Sequence, residues 1–103
     1  MIGVPTTELK PFLKDKEYIV ATDEGSAVGY AVGYYLATGK PETVFMGADG
    51  FMNALNALTS LVIPYDIPIN WVISVGRTEE WHTEASNIAI KYAQGKSNFK
   101  LIR

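Results

Sequence analysis

The stretch "YIVATDEGSAVGYAVGYYLATGKPETVFMG", residues 18–47, decides the fold. A short β-branched run, "EYIVAT" at 17–22, reads as a buried strand. It ends in two acids, Asp23 and Glu24, and a helix rich in glycine, alanine and tyrosine follows at once over 24–38. Gly39 stands where a helix C-cap belongs, and Pro41 lies just beyond it. "ETVFMG" at 42–47 is the next strand. Near-continuous apolar strands alternating with helices point to a parallel sheet covered on both faces.

The pattern extends in both directions. Upstream, Ile2–Val4 reads as a strand, Thr6 or Thr7 caps a short helix, and Pro11 falls in its first turn. Downstream, "ADG" reads as a turn, with Asp49 in a turn or capping role, and "FMNALNALTSLV" at 51–62 as a helix stopped near Pro64. "IPINWVISVG" at 67–76 holds another strand, and "RTEEWH" is a polar loop. An amphipathic helix at 83–94 is followed by Gly95, and "NFKLIR" at 98–103 reads as a final strand. The expected fold is one α/β domain over 1–103, with three α/β/α layers and a mostly parallel sheet. Its strand-to-helix loops "TDEGS", "GADGF" and "VGRTEEWH" should share the carboxyl edge, where such sheets bind ligands.

Composition excludes several functions. The chain has 103 residues, a formal charge of −2 and no basic stripe, which argues against nucleic acid, including a single-strand binder that would stack bases on the tyrosines. With no cysteine there is no disulfide, thiolate metal site or thiol nucleophile. No apolar run reaches membrane-spanning length and "MIGVPTTELK" lacks a signal-peptide layout, so a cytoplasmic domain with no membrane contact is expected.

Gly25, Gly29, Gly33 and Ala37 recur every fourth residue along the first long helix. Interior glycine costs about 1 kcal/mol against alanine, so the stripe reads as a packing seam for a strand or neighbouring helix. Glu24 stands at the mouth of that helix. As a first-turn acid it offsets the positive helix end by about 0.3–1 kcal/mol; as a functional group it is a carboxylate aimed into a ligand crevice, able to share a proton with a ring nitrogen.

Four blocks in order, "GVPTTELKPF", "DEGSAVGYAVGYYLATGKP", "DGFMNALNALTSL" and "IPINWVI", cover about the first three quarters of the chain. Together they resemble the pyrimidine-binding (PYR) domain of thiamine-diphosphate-dependent 2-oxoacid decarboxylases, of the phosphonopyruvate and sulfopyruvate decarboxylase alpha type. The resemblance implies a PYR-type fold in which Glu24 binds the aminopyrimidine ring and promotes its imino tautomer. It implies cofactor contacts at Glu24, Gly25 and Asn53. Asn53, Asn56 and Ser60 share one helix face. A histidine lies in the matching loop of the relatives, which makes His82 a substrate-site candidate. Arg77 in the same loop suits a substrate carboxylate. Glu79, Glu80, Glu84 and His82 do not form a convincing metal set.

The resemblance further implies a small 2-oxoacid substrate, a homo-oligomer, and a separate diphosphate-binding subunit that carries Mg2+ and shares the thiamine diphosphate. "GADG" at 47–50 is not that subunit's G-D-G…N signature. On this reading the chain is half of an active site and inactive alone.

Three departures support a rival reading, a non-catalytic domain of the same ancestry that binds a ligand or partner or only self-associates. The sequence starts near the family's first strand, shortened at the N-terminus, which is expected to leave an edge or apolar face uncovered. Gly47 and Ala48 replace polar residues that could touch ligand. The loop after the strand at 67–76 is shorter than the family's.

Overall fold

Glu42–Gly47 (β3) and Ile69–Ser74 (β4) lie side by side in parallel, with Glu42 opposite Ile69 and Gly47 opposite Ser74. They form the centre of the computed structural model, which describes residues 1–76 and 80–103, with 80–82 described as backbone only. Ile2–Gly3 (β1) pairs with β3 on one side, and Phe99–Ile102 (β5) pairs with β4 on the other. Ile19–Val20 (β2) pairs with β1. The sheet order is β2-β1-β3-β4-β5, and every pairing among the described residues is parallel.

Alternation along the strands sends Val44 and Met46 to one face and Phe45 to the other. The first face carries the long helices Glu24–Thr38 (α2), Ala48–Ala57 (α3) and Glu80–Ala93 (α4). Its centre is aromatic. Trp71 stacks on Phe99 with ring centroids 5.5 Å apart and planes 6° apart, and Phe51 meets Trp71 edge-on at 5.5 Å. The second face carries a 3-10 turn, Thr7–Leu9, running into the short helix Lys10–Leu13 (α1). Leu9 and Leu13 bury Phe45 and Val72 there. The three α/β/α layers are therefore present, but the second is thin.

Several local expectations change. The strand at 17–22 shrinks to β2, and it is not buried: Ile19 is 48% and Val20 62% exposed. The reason is position, since β2 is the edge of the sheet and only β1 flanks it. "ADG" is no turn, because β3 runs straight into α3 with Gly47 as N-cap and Asp49 in the first helical turn. The helix there does not stay α to its end; Leu58–Val62 widens into a π turn, with the Ile63 N–H donating to the Leu58 carbonyl at 2.9 Å. The helix at 83–94 begins earlier, at Glu80, so part of "RTEEWH" is helical.

The glycine stripe is also corrected. The helix α2 sits on the sheet through Ala27, Val28, Ala31 and Val32, while Gly29 and Gly33 point outward. A Cβ added to either would have nothing within 4 Å. Within this chain Gly29 and Gly33 form an open face, not a seam. The C-cap expectation holds: Gly39 has φ 73° and donates its N–H to the Tyr35 carbonyl at 2.7 Å.

Candidate functional site

The first turns of α2 and α3 meet at the carboxyl edge of the sheet. Asp23 caps α2 from an extended conformation, its Oδ1 accepting the Ser26 N–H at 2.8 Å. That cap starts the helix at Glu24, so the half-buried Glu24 side chain leaves from the first turn. It crosses to α3. Asn53 donates from Nδ2 to Glu24 Oε1 at 3.2 Å. A carboxylate only accepts, so the amide nitrogen and not its oxygen must face it. Oε2 has no hydrogen-bond partner among the described residues.

Gly50 makes that crossing possible. A Cβ on Gly50 would lie 2.7 Å from Glu24 Cδ and 2.8 Å from its Cγ, with Oε2 closer still. The carboxyl group lies in the space a side chain would occupy. Gly25 is less constrained, since a Cβ there would sit 3.8 Å from the Asn53 carbonyl oxygen and 3.5 Å from Asp23 Oδ1. The structure thus brings together Glu24, Gly25 and Asn53, three of the residues singled out from sequence. Asn56 and Ser60 also share a face as expected, with Ser60 Oγ donating to Asn56 Oδ1 at 3.1 Å.

Further along the edge, Thr6 Oγ1 lies 3.1 Å from the buried Ser74 Oγ. Thr6 makes no cap bond with its side chain; this contact replaces it. Beside the pair lies Gly47, where a Cβ would meet Asp49 Oδ1 at 2.7 Å and the Thr6 methyl at 3.1 Å. Thr6, Asp49 and Ser74 therefore close the space that the absent Gly47 side chain leaves. Gly50, Thr6 and Ser74 were missed in the sequence. Only Gly50 carried a signal there, a glycine one turn before Asn53.

Arg77 and the His82 side chain, the two substrate candidates, lie outside the described residues. A cavity of about 740 Å3 opens beside α1 between Thr6, Lys10, Lys14 and Tyr18, and includes none of Glu24, Gly50 or Asn53. No group of three or more His, Cys, Asp or Glu among the described residues is arranged to hold a metal ion. None of the described helices is long and apolar enough to cross a membrane.

Comparison with curated proteins returns two sulfopyruvate decarboxylase alpha subunits. The one from Methanococcus maripaludis is 38% identical over 78 residues, covering 70% of this chain and 46% of the relative. The one from Methanocaldococcus jannaschii is 40% identical over 78 residues, with the same coverage. The chain is similar to the sulfopyruvate decarboxylase alpha subunits over 70% of its length. It spans less than half the length of either. No family model matches it. The PYR-type resemblance stands on this match, and the α/β/α layers around an all-parallel sheet agree with it.

Proposed function

We propose that this chain is the aminopyrimidine-binding half of a thiamine-diphosphate-dependent 2-oxoacid decarboxylase of the sulfopyruvate or phosphonopyruvate type, completed by a separate diphosphate-binding chain. One observation carries the reading: in a chain similar to the sulfopyruvate decarboxylase alpha subunits, Glu24 stands at the carboxyl edge of a parallel sheet with one oxygen unpartnered among the described residues. Ligands of open α/β sheets bind at that edge. An acceptor-only oxygen beside a helix N-terminus fits a ring nitrogen that exchanges a proton.

The cofactor, when bound, supplies the electron sink for loss of carbon dioxide. Glu24 holds the aminopyrimidine ring and exchanges a proton with its nitrogen. Gly25 and Asn53 lie beside Glu24 in this chain's share of the ring site. Arg77 and His82 contact the carboxylate end of a small 2-oxoacid. The diphosphate and its Mg2+ belong to the partner. The open Gly29 and Gly33 face of α2 supports an assembly in which another helix packs closely on this one, with a homo-oligomer of such pairs in the cytoplasm.

The test is a pull-down from source lysate with thiamine diphosphate and Mg2+ present. Recovery of a chain with a G-D-G…N signature, and turnover of a 2-oxoacid that Glu24→Gln abolishes without unfolding the protein, is expected. Recovery of this chain only as its own oligomer, with no turnover, favours the non-catalytic reading.

A further inference from the structure

We propose that Gly50 and Asn53 act as a clamp on Glu24, positioning residues that fix which carboxylate oxygen a ligand meets. Asn53 commits Oε1 by donating to it at 3.2 Å, and Oε2 is left as the acceptor without a partner among the described residues. Gly50 sets the height of the carboxyl group: Glu24 Cγ and Cδ rest 2.8 and 2.7 Å from where a Cβ would be. The two clamp residues are one helical turn apart on α3, and Glu24 is on α2. The clamp therefore ties the first turn of α2 to the first two turns of α3 through one side chain. Asn53 acts through Glu24 and does not itself bind cofactor, a narrower role than a direct ring contact.

The geometry is read directly in the full chain by amide spectra of the isotope-labelled protein. The Asn53 side-chain protons are expected to be split more widely than those of an ordinary exposed asparagine, and the splitting collapses in Glu24→Ala. An Asn53 resonance that ignores Glu24→Ala overturns the clamp. Gly50→Ala should displace the same resonance and lower stability. Glu24→Ala, which removes the Cγ and carboxyl atoms that a Gly50 Cβ would strike, should relieve that loss, so that the double variant is more stable than Gly50→Ala alone. Simple additivity of the two substitutions overturns the role of Gly50. If Gly50→Ala does not fold, recovery of folding in the double variant reads the same coupling.

The functional arm rests on Glu24 being the ring partner. In the recovered complex loaded with thiamine diphosphate and Mg2+, Asn53→Ala should lower kcat about tenfold or more and leave the cofactor KM within about threefold. A raised KM with unchanged kcat makes Asn53 a direct contact and overturns the clamp. The two failures are separable. Full turnover in Glu24→Gln removes the reading of Glu24, whatever Asn53 does. An inactive Glu24→Gln beside a fully active Asn53→Ala keeps that reading and removes the clamp.

Discussion

The hydroxyls of Thr6 and Ser74, 68 positions apart in the chain, lie 3.1 Å from each other at the carboxyl edge. Ser74 ends β4 and is fully buried, while Thr6 is half-buried ahead of the 3-10 turn. The bond fastens the segment after β1 to the far side of β3. The two partners differ in what their loss does. Thr6→Val leaves a buried hydroxyl without its partner and should cost about 1–3 kcal/mol. Ser74→Ala leaves Thr6, which water reaches, and should cost less. Urea unfolding of both variants checks the order; a larger loss for Ser74→Ala would contradict it.

Asp23 and Ser26 make the α2 cap at 2.8 Å. Asp23→Ala should lower stability by about 0.5–2 kcal/mol, and Asp23→Asn, which keeps an accepting oxygen, should recover most of it. Far-ultraviolet circular dichroism during urea unfolding measures both. Because the cap sets where α2 begins, Asp23→Ala should also weaken the Asn53 signal that reports on Glu24.

Gly29 and Gly33 have open space where a Cβ would go. Alanine at either position should stabilise the isolated chain by about 1 kcal/mol, since helix propensity rises and nothing is struck. The same substitutions should weaken association if a partner helix packs closely there. Thermal unfolding of the single chain and sedimentation of the assembly separate the two effects. Higher stability with unaltered association would leave the glycines without an interface role.

Gly3 presents the opposite case. A Cβ there would lie 2.7 Å from the Phe45 ring and closer still to the Phe45 carbonyl oxygen. Backbone cannot step aside as a flexible side chain can, so Gly3→Ala should cost about 3 kcal/mol or more. Loss of a cooperative unfolding transition, or a transition at much lower urea, is the expected result.

Trp71 sits between Phe51 and Phe99 under α3 and is almost fully buried. Trp71→Ala should cost about 3–5 kcal/mol through the lost contacts and the cavity left behind. Its effect should be on stability, since Trp71 belongs to the aromatic centre of the core.

Much of this protein is local in origin and could be read in one dimension. The run from Glu24 to Gly39 is a helix because periodic alanine and valine bury one face and a glycine with positive φ ends it. The strands β3, β4 and β5 are legible because both of their faces are apolar or covered. The position of Glu24 at a strand-to-helix junction sets it at the carboxyl edge, because right-handed crossovers send such junctions to one edge, while its functional reading needed the family resemblance.

Tertiary structure decided the rest, because it depends on which neighbour each element meets. "EYIVAT" has the composition of a core strand, and only the sheet order makes Ile19 and Val20 an exposed edge. The four-residue glycine spacing signals close approach, yet whether a neighbour is there depends on which face of α2 the sheet takes, and it takes the alanine and valine face. Likewise, Gly50 matters only because Glu24, 26 residues earlier, folds across it, and Thr6 finds Ser74 only once three strands lie in register. Periodicity and caps are written in spacings of a few residues; contacts between distant residues are set by how whole helices and strands pack, and no local spacing records that.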